Sequence, residues 1–365
     1  MNICIIGDGL TSLSLAKNLI NKKINVHIYK RKNITKVSQD RTIGITKNNL
    51  DYIKSDIFDF PKTNFWKIEK IEICSEKLKN NKILNFQKKE SDLFYMVKND
   101  QFYKSLDTKL MKSKFFKRIF IKKDNFYQAL LKDKKYDLII NCDSSNSISK
   151  KYFSKKIDKD YSNLAYTTTL KHEKLVNNTA VQIFTKFGPI AFLPISNIKT
   201  SVVYSMETTN KKYNDDEVLD LIRKYNPKFK IKKIFKLNNF QLKSSNLRNY
   251  YYKNILAFGD LLHKIHPLAG QGFNMTIRDI KILSEIVQNK IDLGIQLDSS
   301  IFEEFEKKTK HINFIFSNGI DFIYEFFNFD KKNEDKNISK IIQFFGKNKN
   351  LTNTLIKFAD NGLNI

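Results

Sequence analysis

The chain has 365 residues, 41% hydrophobic and 13% aromatic, which is enough apolar material for a sizeable core in more than one domain and excludes a disordered tail. A formal net charge of +27 would suit an anionic partner, but lysine, asparagine and isoleucine recur in every segment and no nucleic-acid-binding motif accompanies them, so no nucleic-acid partner is expected. Three scattered cysteines, Cys4, Cys74 and Cys142, suit buried thiols in a reducing compartment rather than a disulfide framework or a zinc site, and no apolar run is long enough to span a bilayer.

The apolar run Ile3–Ile6 has no secretion-type segment before it, and the expected location is the cytoplasm, with peripheral contact at the inner membrane face left open. Asn2–Ile6 reads as a strand ending in Gly7-Asp8-Gly9, followed by a helix over Leu10–Ile20 and a second strand over Ile24–Tyr29. In that context Gly7 permits a tight turn, Gly9 lets the backbone approach a pyrophosphate, and the helix amino terminus favours negative charge. Ser12 stands where a third glycine would pack helix on strand, and its small size suits the same task. Asp8 places a carboxylate beside the expected phosphates unless its side chain turns away. Lys30 stands about 20 residues after the turn, where a carboxylate usually accepts ribose hydroxyls; an ammonium can only donate.

Arg41 to Thr46 reads as a strand that starts on an arginine, and residues 65–75 and 82–97 alternate as half-buried strands before a helix over Asn99–Leu110. Tyr136–Asn141 is an apolar strand leading to Cys142-Asp143-Ser144-Ser145. Residues 164–172, 179–187, 189–195 and 200–206 read as four successive strands, a sheet inserted between the segments of the nucleotide unit. Gly188, Pro189, Phe192 and Pro194 offer an apolar wall that serves either as a pocket for a hydrophobic ring or as ordinary sheet core; periodicity does not choose.

The strand Ile255–Phe258 delivers Gly259-Asp260 to its carboxyl end, and two more glycines and a proline crowd a loop that opens a helix over Met275–Ile286. The amides of that helix terminus favour an anionic or electron-rich group in front of them. His263 and His266 lie three apart with no third metal ligand at motif distance, so no metal is expected. Residues 311–327 place Ile312, Ile315, Phe316, Ile320, Ile323 and Phe327 on one helical face, expected to pack inward or to dock on a membrane or partner.

The stretch GDLLHKIHPLAGQGFNMTIRD, residues 259–279, closely resembles the signature of the flavoprotein hydroxylases of the ubiquinone-biosynthesis group, which belong to the single-component, para-hydroxybenzoate-hydroxylase-like monooxygenases. The resemblance extends in order through the amino-terminal Gly-x-Gly, the Arg41 strand, Phe94–Asn99, Tyr136–Asp143 and Gly188–Pro194. It implies an α/β fold: a Rossmann-like FAD-binding domain built from non-contiguous segments (1–60, 97–155 and 250–300), an inserted antiparallel β-sheet substrate domain (61–96 and 156–249) and a helical C-terminal tail (301–365). It implies FAD as cofactor, with Gly7, Gly9, Ser12 and Lys30 at the adenosine and pyrophosphate half and Arg41 near the ring. Gly259 and Asp260 would lie at the ribityl chain, and Pro267, Gly270, Gln271, Gly272 and Asn274 along the isoalloxazine. NAD(P)H would be a transient reductant, oxygen would add to the reduced flavin, and the hydroperoxide would hydroxylate a hydrophobic polyprenyl phenol. A soluble phenol as substrate, or a non-catalytic role in a biosynthetic complex, is the alternative. Where the family carries Asp-Gly, this chain has Asp143-Ser144, a difference that bears on nicotinamide handling.

Overall fold

The computed structural model describes residues 1–31, 41–78, 81–87, 92–121, 125–132, 135–208, 213–266 and 270–332. The chain opens as β1 (Asn2–Ile6), α1 (Leu10–Asn21) and β2 (Asn25–Arg31), then β3 (Thr42–Thr46), α2 (Lys47–Tyr52), β4 (Phe65–Ile68), β5 (Lys70–Ser75), β6 (Asn81–Gln87) and β7 (Phe94–Lys98). It continues through α3 (Asn99–Met111), β8 (Phe116–Ile121), α4 (Asn125–Lys132), β9 (Leu138–Asn141) and α5 (Ser147–Tyr152). Next come β10 (Lys156–His172), β11 (Thr179–Thr185), β12 (Gly188–Ser196), β13 (Lys199–Glu207), α6 (Asp215–Lys224), β14 (Ile231–Ile234) and β15 (Asn238–Leu247). The last described elements are β16 (Tyr251–Tyr252), β17 (Ile255–Ala257), β18 (His263–Lys264), α7 (Gly272–Asp292) and α8 (Ser300–Lys332).

The first sheet has the order β16-β17-β9-β1-β2-β8 and is parallel from β17 to β8, with β16 antiparallel at the edge. Both faces of its centre are covered, so β1 and β9 read as unbroken apolar runs rather than alternating ones. Ile3, Ile5, Leu138 and Ile139 are fully buried, each contributing about 1.5–3 kcal/mol of burial. Neighbours in this sheet are remote in sequence, and β17 enters it more than 100 residues after β9.

A second sheet runs β18-β15-β10-β13-β12-β11-β5-β6, with β14 also paired to β10. It is antiparallel except where β11 meets β5 in parallel, because the segment before residue 100 is laid along the outer side of β11. The four strands expected in succession do not all pair in succession: β10 pairs with β13, so β11 and β12 are carried beyond it. One face of this sheet is sealed by α6, whose Val218 and Ile222 pack on Ile183, Phe192, Val202 and Tyr204. That helix starts on a capping box, with Asn214 accepting from the Glu217 amide and Glu217 accepting from the Asn214 amide. A third, three-stranded antiparallel sheet, β3-β7-β4, packs on β12 of the second sheet and against α7.

Helix α8 is rotated from its expected phase. Its inward positions are Asn313, Phe316, Ser317, Ile320 and Tyr324, while Ile315 and Ile323 are exposed. The polar members have dedicated partners that repay their burial: Asn313 donates to Asp279, Asn246 donates to Ser317, and Tyr324 bonds Asn163. The side chain of Phe327 and everything after residue 332 lie outside the described residues.

Candidate functional site

The carboxyl ends of β1, β9 and β17 are neighbours, and they bring together residues 7, 142 and 259. Gly7 has φ +108° and donates its amide to the Tyr29 carbonyl at 2.9 Å. A Cβ there would stand 3.4 Å from the Asp143 amide nitrogen and from Ser12 Oγ, so Gly7 is wedged between the β9 loop and the first turn of α1. Ser12 is fully buried against the glycine turn, its Oγ 3.4 Å from where a Gly7 Cβ would stand and without a hydrogen-bond partner among the described residues, filling the place expected for close helix-to-strand packing. Burial pushes the Cys142 thiol up to about 12, with Asp260 and Asp143 adding to the effect, so this sulfur is an inert wall of the site. Gly9 is the N-cap of α1 and offers no side-chain cap; no acidic residue follows in the first turn, and no described atom lies within 4 Å of a Cβ placed on it. The amides of the first turn are therefore free to meet an anion.

Asp8 turns away from this opening. Its carboxylate, 4% exposed, accepts from Lys30 Nζ at 2.6 Å and Tyr103 Oη at 2.6 Å, and lies 3.0 Å from Arg118 Nη2. Arg118 also bonds Asp107 at 2.5 Å. Burial, then the bond to Asp8, raises the Tyr103 hydroxyl's pKa. Tyr103, Asp107 and Arg118 were not singled out in the sequence; they come from α3 and the edge strand β8, about 100 residues after the turn they serve.

The loop after β9 needs no glycine at residue 144: Ser144 is exposed and is not among the positive-φ residues. Asp143 closes an Asx turn by accepting from the Ser145 amide and hydroxyl, and its carbonyl accepts from Asn146 and Ser149. Buried Asn141 and Asn146 complete the network, and Asn146 caps α5.

Gly259 has φ +63°, and a Cβ there would lie 2.7 Å from Thr11 Cγ2, so the turn after β17 touches the first turn of α1. Asp260 follows it, exposed, with no hydrogen-bond partner among the described residues.

Pro267, expected beside the ring, lies outside the described residues, as do Leu268 and Ala269. Gly270 has φ +64°, and its Cβ would stand 3.9 Å from the Gly44 nitrogen, which brings β3 against this loop. Gln271 Oε1 is buried with no donor among the described residues. Gly272 opens α7, and Asn274 spends its side chain on the protein: it donates to the Gly44 carbonyl at 3.0 Å and accepts from the Thr46 amide at 2.9 Å and from Asn49 at 3.0 Å. Arg41 is exposed just ahead of β3, and its carbonyl accepts from the Asn99 amide at 2.9 Å.

The four residues expected as a substrate wall divide between the two faces of β12. Gly188, Phe192 and Pro194 point to the buried side, with Phe192 fully buried beneath α6; Pro189 lies on the opposite, half-buried side with Ala191 and Leu193. Gly188 is required by packing, since a Cβ there would meet the Ser205 carbonyl at 2.1 Å. The half-buried face, with Leu193 and Ile195, packs on Trp66, Phe94 and Met96 of the third sheet, next to Gly44.

The two histidines have separate roles. His263 bonds Asp279, both fully buried, whereas His266 lies between the rings of Tyr161 (4.8 Å) and Tyr324 (4.5 Å). Among the described residues no group of three potential ligands converges on a metal.

An FAD binding domain family matches residues 136–291. The chain is 24% identical to the mitochondrial ubiquinone biosynthesis monooxygenase COQ6 of Dictyostelium discoideum over 89% of its own length and 84% of that protein's. It is 26% identical to the 3-demethoxyubiquinol 3-hydroxylase of Escherichia coli (strain K12), over 51% of this chain and 50% of that one. Among solved structures, p-nitrophenol 4-monooxygenase PnpA from Pseudomonas putida DLL-E4 superposes with a TM-score of 0.78 at 11% identity, covering 100% of this chain and 98% of that one. Klebsiella pneumoniae HpxO, complexed with FAD and uric acid, gives 0.74 at 11% identity, over 100% and 97%. The fold is that of these FAD-dependent monooxygenases, and the chain is similar in sequence to the FAD-dependent hydroxylases of the ubiquinone-biosynthesis group, with its glycine turn and its Gly259-Asp260 turn side by side at the carboxyl ends of adjacent parallel strands.

Proposed function

We propose that this protein hydroxylates the aromatic ring of a polyprenylated phenol in ubiquinone biosynthesis, holding FAD as its resident cofactor and using NAD(P)H as a transient reductant. The observation that carries the reading is the junction of Gly7, Cys142 and Gly259 at the ends of three adjacent parallel strands, with Asp260 left exposed and unbonded beside it. Three local features favour FAD there: uncapped amides at the start of α1, open space before Gly9, and the buried Gln271 acceptor at the start of α7.

The residues divide the work along the cofactor. Gly7, Gly9 and the first turn of α1 would take the pyrophosphate, with Ser12 fixing the helix against β1. Asp260 would accept ribityl hydroxyls, and the backbone of Gly270, Gln271, Gly272 and Asn274 would border the ring, with Arg41 approaching from β3. Residues 1–60, 97–155 and 250–300 would form the FAD-binding part, and 61–96 with 156–249 the substrate part. Bound flavin supplies the redox and oxygen chemistry. The protein orients the phenol and excludes water, for which the half-buried face of β12 with Trp66, Phe94 and Met96 is suited. Phe314, Ile315, Phe322 and Ile323 on the outward face of α8 support peripheral membrane contact; sedimentation with phospholipid vesicles tests this, and a protein that stays in the supernatant rules it out.

The central test is the absorption spectrum of the purified protein after incubation with FAD and desalting. A retained flavin band is expected, and its absence at saturating FAD overturns the enzyme reading. Asp260→Ala should weaken FAD binding about tenfold or more, and unchanged affinity would remove the ribityl assignment.

A further inference from the structure

In a dinucleotide site of this type the acceptor carboxylate sits at the end of the second strand, and the glycine turn faces the pyrophosphate, where a carboxylate would be repelled. Here the charges stand the other way round. The carboxylate is in the turn at Asp8, the cation is at the end of β2 at Lys30, and the two are joined at 2.6 Å. Asp8 is almost wholly buried and is surrounded by Lys30, Tyr103 and Arg118, so its negative charge is neutralised and directed away from the first turn of α1. Arg118 is itself 12% exposed and shared with Asp107, so two carboxylates face two cations and the cluster is balanced.

Of the two cations in the cluster, Lys30 is the one that reaches further into solvent. Its side chain is 24% exposed, and of its three ammonium protons one is directed at Asp8 while the others meet no acceptor among the described residues. It stands at the carboxyl end of a parallel strand next to the glycine turn, where the adenosine half of a bound dinucleotide lies.

We propose that Asp8 and Lys30 form a charge-exchanged clamp for the adenosine ribose, in which Lys30, held by Asp8, donates to the ribose oxygens in place of the usual acceptor carboxylate. The inference rests on the flavin reading above. Asp8 is a positioning residue, and Lys30 is the one that touches the cofactor. Tyr103 and Arg118 keep the Asp8 carboxylate turned from the phosphates, which accounts for an acidic residue being tolerated inside the turn.

The experiment titrates the full chain with FAD and, separately, with FMN, which lacks the adenosine half, and reads each dissociation constant from flavin fluorescence. Lys30→Met should weaken FAD about tenfold and leave FMN within about twofold, because one charge-assisted bond is lost at the adenosine end alone. Lys30→Arg should keep FAD affinity within about threefold. Lys30→Glu should weaken FAD about a hundredfold, because the new carboxylate faces Asp8, and adding Asp8→Gly should recover at least tenfold of that loss by restoring the usual arrangement. Lys30→Met that leaves FAD affinity unchanged, or weakens FAD and FMN equally, overturns the clamp while the flavin site stands. Lys30→Glu that binds FAD as tightly as the parent protein overturns it too. A parent protein that binds neither flavin overturns the flavin reading and the clamp with it.

Discussion

Asn274, at the start of α7, hydrogen-bonds the backbone of Gly44 in β3 across 230 residues of sequence, and the same side chain accepts from Thr46 two residues further along that strand. It therefore behaves as a short substitute strand, satisfying one donor and one acceptor of β3 and fixing that strand at 3.9 Å from the point where Gly270 would carry a Cβ.

Replacing it should loosen both sides of the site. Asn274→Ala leaves the Thr46 amide and the Gly44 carbonyl buried without partners, a loss of about 3 kcal/mol, and thermal unfolding should move down by several degrees. FAD affinity should fall with it, because the loop and β3 lose their common anchor. An unfolding midpoint equal to that of the parent protein would show that β3 is held by other contacts.

A second expectation concerns acid stability. Burial, and then the neighbouring Lys159 charge, lowers the His266 pKa from its ordinary 6.5 to about 4. The unfolded chain therefore binds a proton at this ring before the folded one does. The contribution is neutral above pH 6.5 and becomes destabilising as the pH falls from 6.5 towards 4, reaching about 3 kcal/mol at the lower limit. Urea unfolding at several pH values checks this: the parent protein should lose stability across that window more steeply than His266→Phe, and parallel profiles would refute it.

The two faces of β12 make a third contrast. Phe192→Ala opens a cavity beneath α6 and should cost about 3–5 kcal/mol of stability, with little effect on the substrate constant of the molecules that remain folded. Leu193→Ala, on the half-buried face, should cost less stability and raise KM for a hydrophobic phenol. Steady-state kinetics and thermal unfolding on both variants decide the matter, and a KM effect confined to Phe192→Ala would reverse the assignment of faces.

Elements whose pattern reflects a single face or a full burial were legible in the sequence. Asn2–Ile6, Leu10–Ile20 and Ile255–Phe258 are close to the observed β1, α1 and β17, since continuous apolar runs and helical spacing announce central strands and their covering helix. The features without a local sequence signal depend on partners far along the chain. Strand β8 is a partly exposed edge carrying Lys117 and Arg118, so its alternation is blurred, and the role of Arg118 exists only once β8 lies beside β2. The phase of α8 departs from its apolar pattern because Asn313, Ser317 and Tyr324 resemble surface residues until Asp279, Asn246 and Asn163 are brought up to them. Helix α6 carries a local signal of its own in the Asn214-x-x-Glu217 box. The Gly259–Asp279 signature marked the α7 loop, but not that the Asn274 side chain would be consumed by β3.

The close approach of Gly259 to Thr11 also sets a schedule for synthesis. Strand β9 is complete at residue 141, yet the strand that covers its outer side ends at residue 257, and at cellular elongation rates that interval lasts on the order of ten seconds. Throughout it, a nascent chain displays Leu138, Ile139 and Ile140 along an unpaired edge, with the glycine turn lacking its third wall. The hazard for this protein therefore falls during translation, when self-association competes with a strand that has yet to leave the ribosome, rather than in the finished molecule, where that edge no longer exists.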